Sequence, residues 1–481
     1  RVPLELSCRT SVMIWLNTMA SDYPTEKLRE RHETYSLSWQ DKLGWAIGEL
    51  GVAIYVGGTM SFFLFYLTEA HSISPAWAGV ALLVPRIWDG ITDPFMGAVS
   101  DRTKSSMGRR RPYLFVGAIA YGASFYMVLS IPDMGSENTT LIYLVAGYLL
   151  ASTAITIFDV PYSSMAAEMT QSYKERISLA GYKMVAARVG ILFAGGLGPV
   201  LYNSKDNLLE GFSYMGLVFG AAMTITGLIT FYLTRNVPRI EAVSHSIDLR
   251  AEMAALWANL PFRILFFGFL FQNIAIGSSA TMLVYFLTFA MLIDASLIGP
   301  LMLVAGVTST LVTPVWVMVA GRLGKKETYL LGLTLAIVMA LPGLVLPAEY
   351  YYLLFAIYFL SGISDAVNQL MPTSMIPDTV EADEVRTGKR REGTIFGAMA
   401  FCRKLGMAFG AFFASWILQV AGFIGGGMTP EMQTESGLLG IRIAYTLLPA
   451  LLWLGAMMIV RQYALGEQQF DQIKNEIREN Q

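Results

Sequence analysis

The stretch RIWDGITDPFMGAVSDRTKSSMGRRRP, residues 86–112, decides the fold. Its first half reads as a membrane-spanning segment that carries Arg86, Asp89 and Asp93, and its second half is a short loop with Arg102, Lys104, Arg109, Arg110 and Arg111. A charged side chain at the middle of a spanning helix costs about 2.5–3.5 kcal/mol on insertion scales, so acids retained there point to function. The stretch also has an echo. TDPFMGAVSDR (92–102) leads into YLFVGAI, and VTPVWVMVAGR (312–322) leads into LGKKETYLLGL. Setting Pro94 on Pro314 puts Arg102 on Arg322, the pattern of two parallel repeats in one transporter. Asp89 and Asp93 then face Ser309 and Thr313, so the scaffold tolerates neutral residues at both places and the acids are additions peculiar to the first repeat.

The chain around this stretch has 481 residues, 54% of them hydrophobic and only 15% charged, a membrane composition. Windows of about 20 apolar residues, the length that crosses the hydrocarbon core, predict spans at 43–68, 76–99, 112–132, 140–165, 179–202, 211–234, 262–289, 296–320, 328–347, 350–376, 394–422 and 438–461. The expected architecture is an all-α membrane protein of twelve transmembrane helices in two pseudo-symmetric six-helix bundles. Its divisions are a cytoplasmic tail (1–40), an N-terminal bundle (41–234), a cytoplasmic linker (235–260), a C-terminal bundle (261–461) and a second cytoplasmic tail (462–481). The loops 101–111, 166–178, 235–260, 321–327 and 378–392 hold 17 lysines and arginines, whereas the alternate loops hold one, Lys205. Because short cytoplasmic loops retain basic residues, both termini are expected on the cytoplasmic side.

Several function classes are excluded. The net charge of -2 offers no field for nucleic acid, and the two cysteines, Cys8 and Cys402, make no disulfide framework or metal site. No nucleotide-binding GxxxxGK[ST] loop occurs, no nucleophile–base constellation stands out, and no cofactor is expected. The chemistry therefore lies in the intramembrane charges. Asp89 and Asp93 are spaced i, i+4, which stacks both carboxylates on one helix face about 6 Å apart. They repel unless a cation or proton lies between them, or unless Arg86 neutralises one in an internal ion pair. Thr156 and Asp159, one turn apart on span four, could add oxygen ligands for a hard cation. Glu49 in span one either contacts a ligand or pairs with a base across the bundle. Asp365, beside Asn368 and Gln369, reads as a packed polar cluster or second-repeat gate, with a cation ligand as the alternative. Lys404 is placed to balance the acids when the cation leaves, or else, with Arg403, to reach the cytoplasmic interface. Asp101, Arg102, Arg109, Arg110 and Arg111 are either only a topology signal or, as the likeness of this loop to a transporter gating loop implies, a gate whose charges lock neighbouring helices in one access state.

Three segments, RIWDGITDPFMGAVSDRTKSSMGRRRPYL, FDVPYSSMAAEMTQSYKERISLAGYKM and PDTVEADEVRTGKRREGTIFGAMAFCRKLG, together resemble the glycoside-pentoside-hexuronide:cation symporters, the melibiose carrier family of the major facilitator superfamily. The resemblance runs from about Asp41 to the last span. It implies cation-coupled sugar symport, with Na+ or H+ as coupling ion. Asp89, Asp93, Thr156 and Asp159 match the family's cation-site residues, with Asp89, Asp93 and Asp159 as ligands if the ion is Na+. Lys404 matches the nearby span-eleven lysine, and Asp159 also touches the sugar. On the sugar side the family's span-one Asp falls on Ala53, its span-four Trp on Ser163 and its span-five Arg on Lys183. Glu49, Asp159, Ser163, Lys183 and Lys404 are thus the substrate candidates, and melibiose itself is not the expected sugar. The alternative is a lysophospholipid or another amphiphile, since the animal lysophospholipid transporters share a related span two and VPYS. The expected setting is a bacterial-type inner membrane, with a monomer surrounded by lipid.

Overall fold

The computed structural model describes residues 37–463 apart from 133, 171, 238–248, 390 and 428. Most of the tails expected at 1–40 and 462–481, and the middle of the linker, lie outside the described residues. Every regular element among the described residues is helical. Eleven helices are long and apolar enough to cross a membrane: α1 (Trp39–Ala70), α3 (Arg111–Leu129), α4 (Glu137–Met169), α5 (Glu175–Tyr202), α6 (Leu208–Asn236), α7 (Leu260–Ala290), α8 (Ala295–Leu323), α9 (Lys325–Val345), α10 (Leu353–Thr387), α11 (Glu392–Val420) and α12 (Glu435–Val460). The remaining long helix, α2 (Pro75–Arg102), has the same reach but carries Arg86, Asp89 and Asp93 through its middle.

Helix is the structure a membrane permits, because it satisfies the backbone within each segment. The first span is started by a capping box, in which Ser38 accepts from the Asp41 amide and the Asp41 carboxylate accepts from Ser38. Prolines lie inside α2 (85, 94), α4 (161), α5 (199), α8 (300, 314) and α10 (372, 377). Each lacks an amide hydrogen and so removes one backbone hydrogen bond from its helix. Two helices outrun their predicted spans. α4 and α10 have 33 and 35 residues, and at 1.5 Å per residue α10 is about 52 Å long. Glu168 and Asp383 in their last turns have arginine partners.

The repeat appears in the backbone itself. α1 and α7 both end in five-residue π turns, Tyr66–Ala70 and Phe286–Ala290. Each is followed by a non-glycine residue at positive φ, Ser72 (54°) and Leu292 (53°), whose separation in the chain equals that of Pro94 and Pro314. The loops close identically, with Ile73 donating to the Leu67 carbonyl and Ile293 to that of Leu287.

The two halves meet at the end of the molecule away from the basic loops. Thr68 and Tyr285 share a hydroxyl hydrogen bond of 2.5 Å, and the Gly426 and Gly427 amides donate to the Thr68 carbonyl and the Glu69 carboxylate. α5 and α8 touch so closely that a Cβ on Gly299 would lie 2.7 Å from the Gly196 carbonyl oxygen. At the basic-loop end α5, α8 and α11 are less closely packed. A Cβ on Gly181, Gly321, Gly393 or Gly397 would meet nothing within 4 Å. Charged side chains that meet between the halves, Arg188, Asp365, Lys404 and Asp93, keep 22–40% of their surface exposed, so with the far end closed the space between the halves opens toward the basic loops.

Candidate functional site

Asp89 and Asp93 leave the same face of α2 in different company. Asp89 is 2% exposed, ion-paired at 3.2 Å with Arg86, and accepts from the Ser152 hydroxyl of α4. Arg86 donates onward to the Tyr148 hydroxyl at 3.1 Å and to Thr59 on α1. This buried network ties α2 to α1 and α4, with only Arg86 Nε in it left without a hydrogen-bond partner. Asp93 is bound on two sides. The Thr156 hydroxyl donates to its Oδ1 at 2.9 Å, and Lys404 Nζ, on α11 of the other half, donates to its Oδ2 at 2.6 Å.

Asp159 lies one turn beyond Thr156 on α4 and belongs to a second group. The Ser163 hydroxyl donates to Asp159 Oδ1 at 3.2 Å, Lys183 Nζ donates to Ser163 at 3.1 Å, and Lys183 is ion-paired at 3.1 Å with Glu49. Trp45 and Tyr162 stack at 5.2 Å and brace Lys183, whose Nζ is 5.7 and 5.3 Å from their rings. Four of the five substrate candidates, Glu49, Asp159, Ser163 and Lys183, are thus brought together, while Lys404 sits with Asp93 instead.

The expected trio of Asp89, Asp93 and Asp159 is not assembled around one point. Among the described residues no group of three or more His, Cys, Asp or Glu side chains converges as a metal site. The physical reason is that each acid has acquired its own counter-charge or donor. Arg86 neutralises Asp89, and the Lys404 ammonium neutralises Asp93.

The gate residues also divide. Asp101 pairs with Arg110 at 3.0 Å, and Arg109 and Arg110 both bond Glu168, at the end of α4, the former through Nε at 2.5 Å. Arg111 turns the other way, donating to the Phe231 carbonyl at 2.8 Å and lying 4.4 Å from its ring centre. Arg102 is exposed and enters none of these pairs. The second half has a comparable set: Lys325 bonds Asp378, and Asp383 bonds Arg386 and Arg391, the latter also reaching Glu252. Both sets keep to their own half. Glu168 escaped the sequence reading although its signal was present, a lone acid closing span four before a basic segment.

Asp365 is part of neither set. It accepts from Ser309 of α8 at 2.7 Å and from Gln369 at 2.8 Å, and it pairs at 3.2 Å with Arg188 of α5 in the first half. Asn368 points elsewhere, into a buried contact with the Gly332 carbonyl.

Twelve long helices in two repeats, charges paired between the halves and a space open at one end define a multi-pass membrane transporter of the major facilitator fold, not an enzyme. The chain belongs to the MFS/sugar transport protein family, whose model matches residues 44–467. It is similar to the glucuronide carrier protein homolog of Escherichia coli, at 27% identity over 92% of this chain and 96% of that one. It also resembles the sodium-dependent lysophosphatidylcholine symporter 1-B of Danio rerio, at 25% identity over 95% and 94%. Among solved structures, a bacterial homologue of the human lysosomal transporter Spinster, inward-facing and unoccupied, superposes with a TM-score of 0.65 at 14% identity, covering 93% of this chain and 99% of that one.

Proposed function

We propose that the protein is a cation-coupled symporter of a glycoside or related sugar that works by alternating access, as a monomer, in a bacterial-type inner membrane. The excess of basic residues in alternate loops supports both termini being cytoplasmic, so the open end faces the cytoplasm. The observation that carries this reading is the bond between Lys404 and Asp93 across the two halves. Lys404 acts as a resident counter-ion: it holds Asp93 when no coupling ion is bound and gives way when one arrives. Asp93, Thr156 and Asp159 then offer the cation a hard oxygen environment from two facing helices. Na+ suits these donors, and the sodium-dependent relative agrees with it; H+ is the other candidate. Asp89 holds the helices that carry the site.

The sugar occupies the neighbouring group of Glu49, Asp159, Ser163 and Lys183, where carboxylates accept from hydroxyls and the ammonium donates to them. Asp159 belongs to both ligands' surroundings, which couples them. By linkage, whatever factor the cation lends to sugar affinity, the sugar lends to cation affinity. The basic-loop pairs around Glu168 and Asp383 are the gate, each resting inside its own half while the cytoplasmic end is open.

The test is uptake into proteoliposomes of labelled glycosides, uronides and lysophosphatidylcholine, each with an imposed Na+ or H+ gradient. Gradient-driven accumulation of a sugar is the expected result. Transport of the lysolipid with none of the sugars would replace this reading with the amphiphile one.

A further inference from the structure

The Arg188–Asp365 pair is the second charged contact between the halves, and nothing above gives it a role. It lies just on the open side of the apolar seal between α5 and α8. One turn further along α5, Leu192 would lie 2.4 Å from a Cβ on Gly306, and Ser309 follows Gly306 by three residues on α8. Neither partner is enclosed: the Arg188 and Asp365 side chains are 22% and 40% exposed, unlike Arg86 and Asp89 at 7% and 3%. Polar groups left solvated at the head of an open cavity can exchange water for ligand hydroxyls at little cost.

The repeat supplies an independent observation. In the first half an α2 acid, Asp89, accepts from an α4 hydroxyl, Ser152. In the second half the bridge recurs between α8 and α10 with the groups exchanged. Ser309, the position aligned with Asp89, donates to Asp365. What differs is the base. Arg86 comes from the same helix as its acid and closes the network, whereas Arg188 comes from the opposite half and leaves it open. Gln369, exposed and bonded to both oxygens of Asp365, adds amide donor and acceptor capacity at the rim.

We infer that Arg188 and Asp365, with Gln369, form a hydroxyl-binding clamp contributed jointly by the two halves, which takes neighbouring hydroxyls of the transported sugar. This rests on the sugar reading above and extends it to the C-terminal half. A paired guanidinium and carboxylate present donors and acceptors together with no net charge, which fits the hydroxyls of a neutral ring. A ligand bridging the pair also draws α5 and α10 together, so that recognition and closure use the same groups.

The experiment compares wild type, Asp365→Asn and Arg188→Gln in proteoliposomes, with the labelled glycoside that wild type accumulates best and its monodeoxy analogues. Na+-dependent thermal stability of the purified proteins serves as the control. The expected result is a KM raised about 10- to 100-fold in both variants, the range for losing hydrogen bonds to charged groups. At least one deoxy analogue that wild type discriminates against should be handled by Asp365→Asn like the parent sugar, and Na+ stabilisation should persist. An unchanged KM, or a loss confined to the maximal rate with full discrimination between parent and deoxy sugars, overturns the clamp while leaving sugar symport intact. If wild type accumulates no glycoside, the sugar reading itself fails, and the clamp with it. Should either variant not fold, Asp365→Glu and Arg188→Lys, which keep the charges and displace them, are read against the same criteria.

Discussion

Replacing Lys404 by Met keeps the volume and removes the charge, leaving Asp93 with only the Thr156 hydroxyl. An exposed ion pair contributes about 0–1 kcal/mol, and breaking a fully buried one costs about 3–5 kcal/mol. The Lys404 and Asp93 side chains are 31% and 26% exposed, so solvent screening places this pair between those limits, at about 1.5 kcal/mol. In the wild type an arriving cation must first break that pair. The variant has no pair to break, so its apparent affinity for Na+ should rise about tenfold. Gradient-driven accumulation of sugar should fall at the same time, because the ion-free carrier now bears an uncompensated carboxylate and reorients poorly. Na+ titrations followed by thermal stability of the purified protein measure the first effect, and proteoliposome uptake measures the second. A folded Lys404→Met protein whose Na+ affinity is unchanged or weaker would refute the counter-ion role.

Three further predictions concern the surrounding scaffold. Asp89→Asn leaves Arg86 buried without its counter-charge and should destabilise the protein by about 3–5 kcal/mol; Asp89→Asn with Arg86→Gln should recover much of that loss, as thermal unfolding will show. Glu168→Gln removes the acid shared by Arg109 and Arg110, with a side chain only 5% exposed, and should cost about 3 kcal/mol by the same measurement. Gly299→Val places side-chain atoms against the Gly196 carbonyl and should part the sealed end. In a Cys8→Ser, Cys402→Ser background, Ser415→Cys, buried opposite Gly79 in the structure, should then become reactive to an impermeant maleimide.

The fold was legible because its causes are local. Hydrocarbon thickness sets span length, loop charge marks sidedness, and the echo of residues 92–102 at 312–322 revealed the repeat before the matching π turns of α1 and α7 did. The charged candidates were legible for a similar reason, since each is conspicuous against an apolar helix. Their pairing was not. Asp89 and Asp93 look equivalent in sequence, yet the three-residue step to Arg86 closes one network, while the other acid is satisfied by Lys404 from 311 residues away. Helical periodicity relates residues within one helix and carries no information on which face of α11 meets α2. The pairing of Arg188 with Asp365 escaped for the same reason, since they are joined only where the two halves meet. Glu168 is the opposite case, a local signal that gains meaning once Arg109 and Arg110 are seen to converge on it.

The central claim is that Asp93 carries the coupling ion in alternation with Lys404. The most direct measurement is accumulation of the labelled sugar against its gradient by Asp93→Asn in proteoliposomes with an imposed cation gradient, set beside sugar exchange at equal cation concentrations. The account predicts that uphill accumulation is abolished while exchange survives; undiminished cation-driven accumulation in that variant would contradict it.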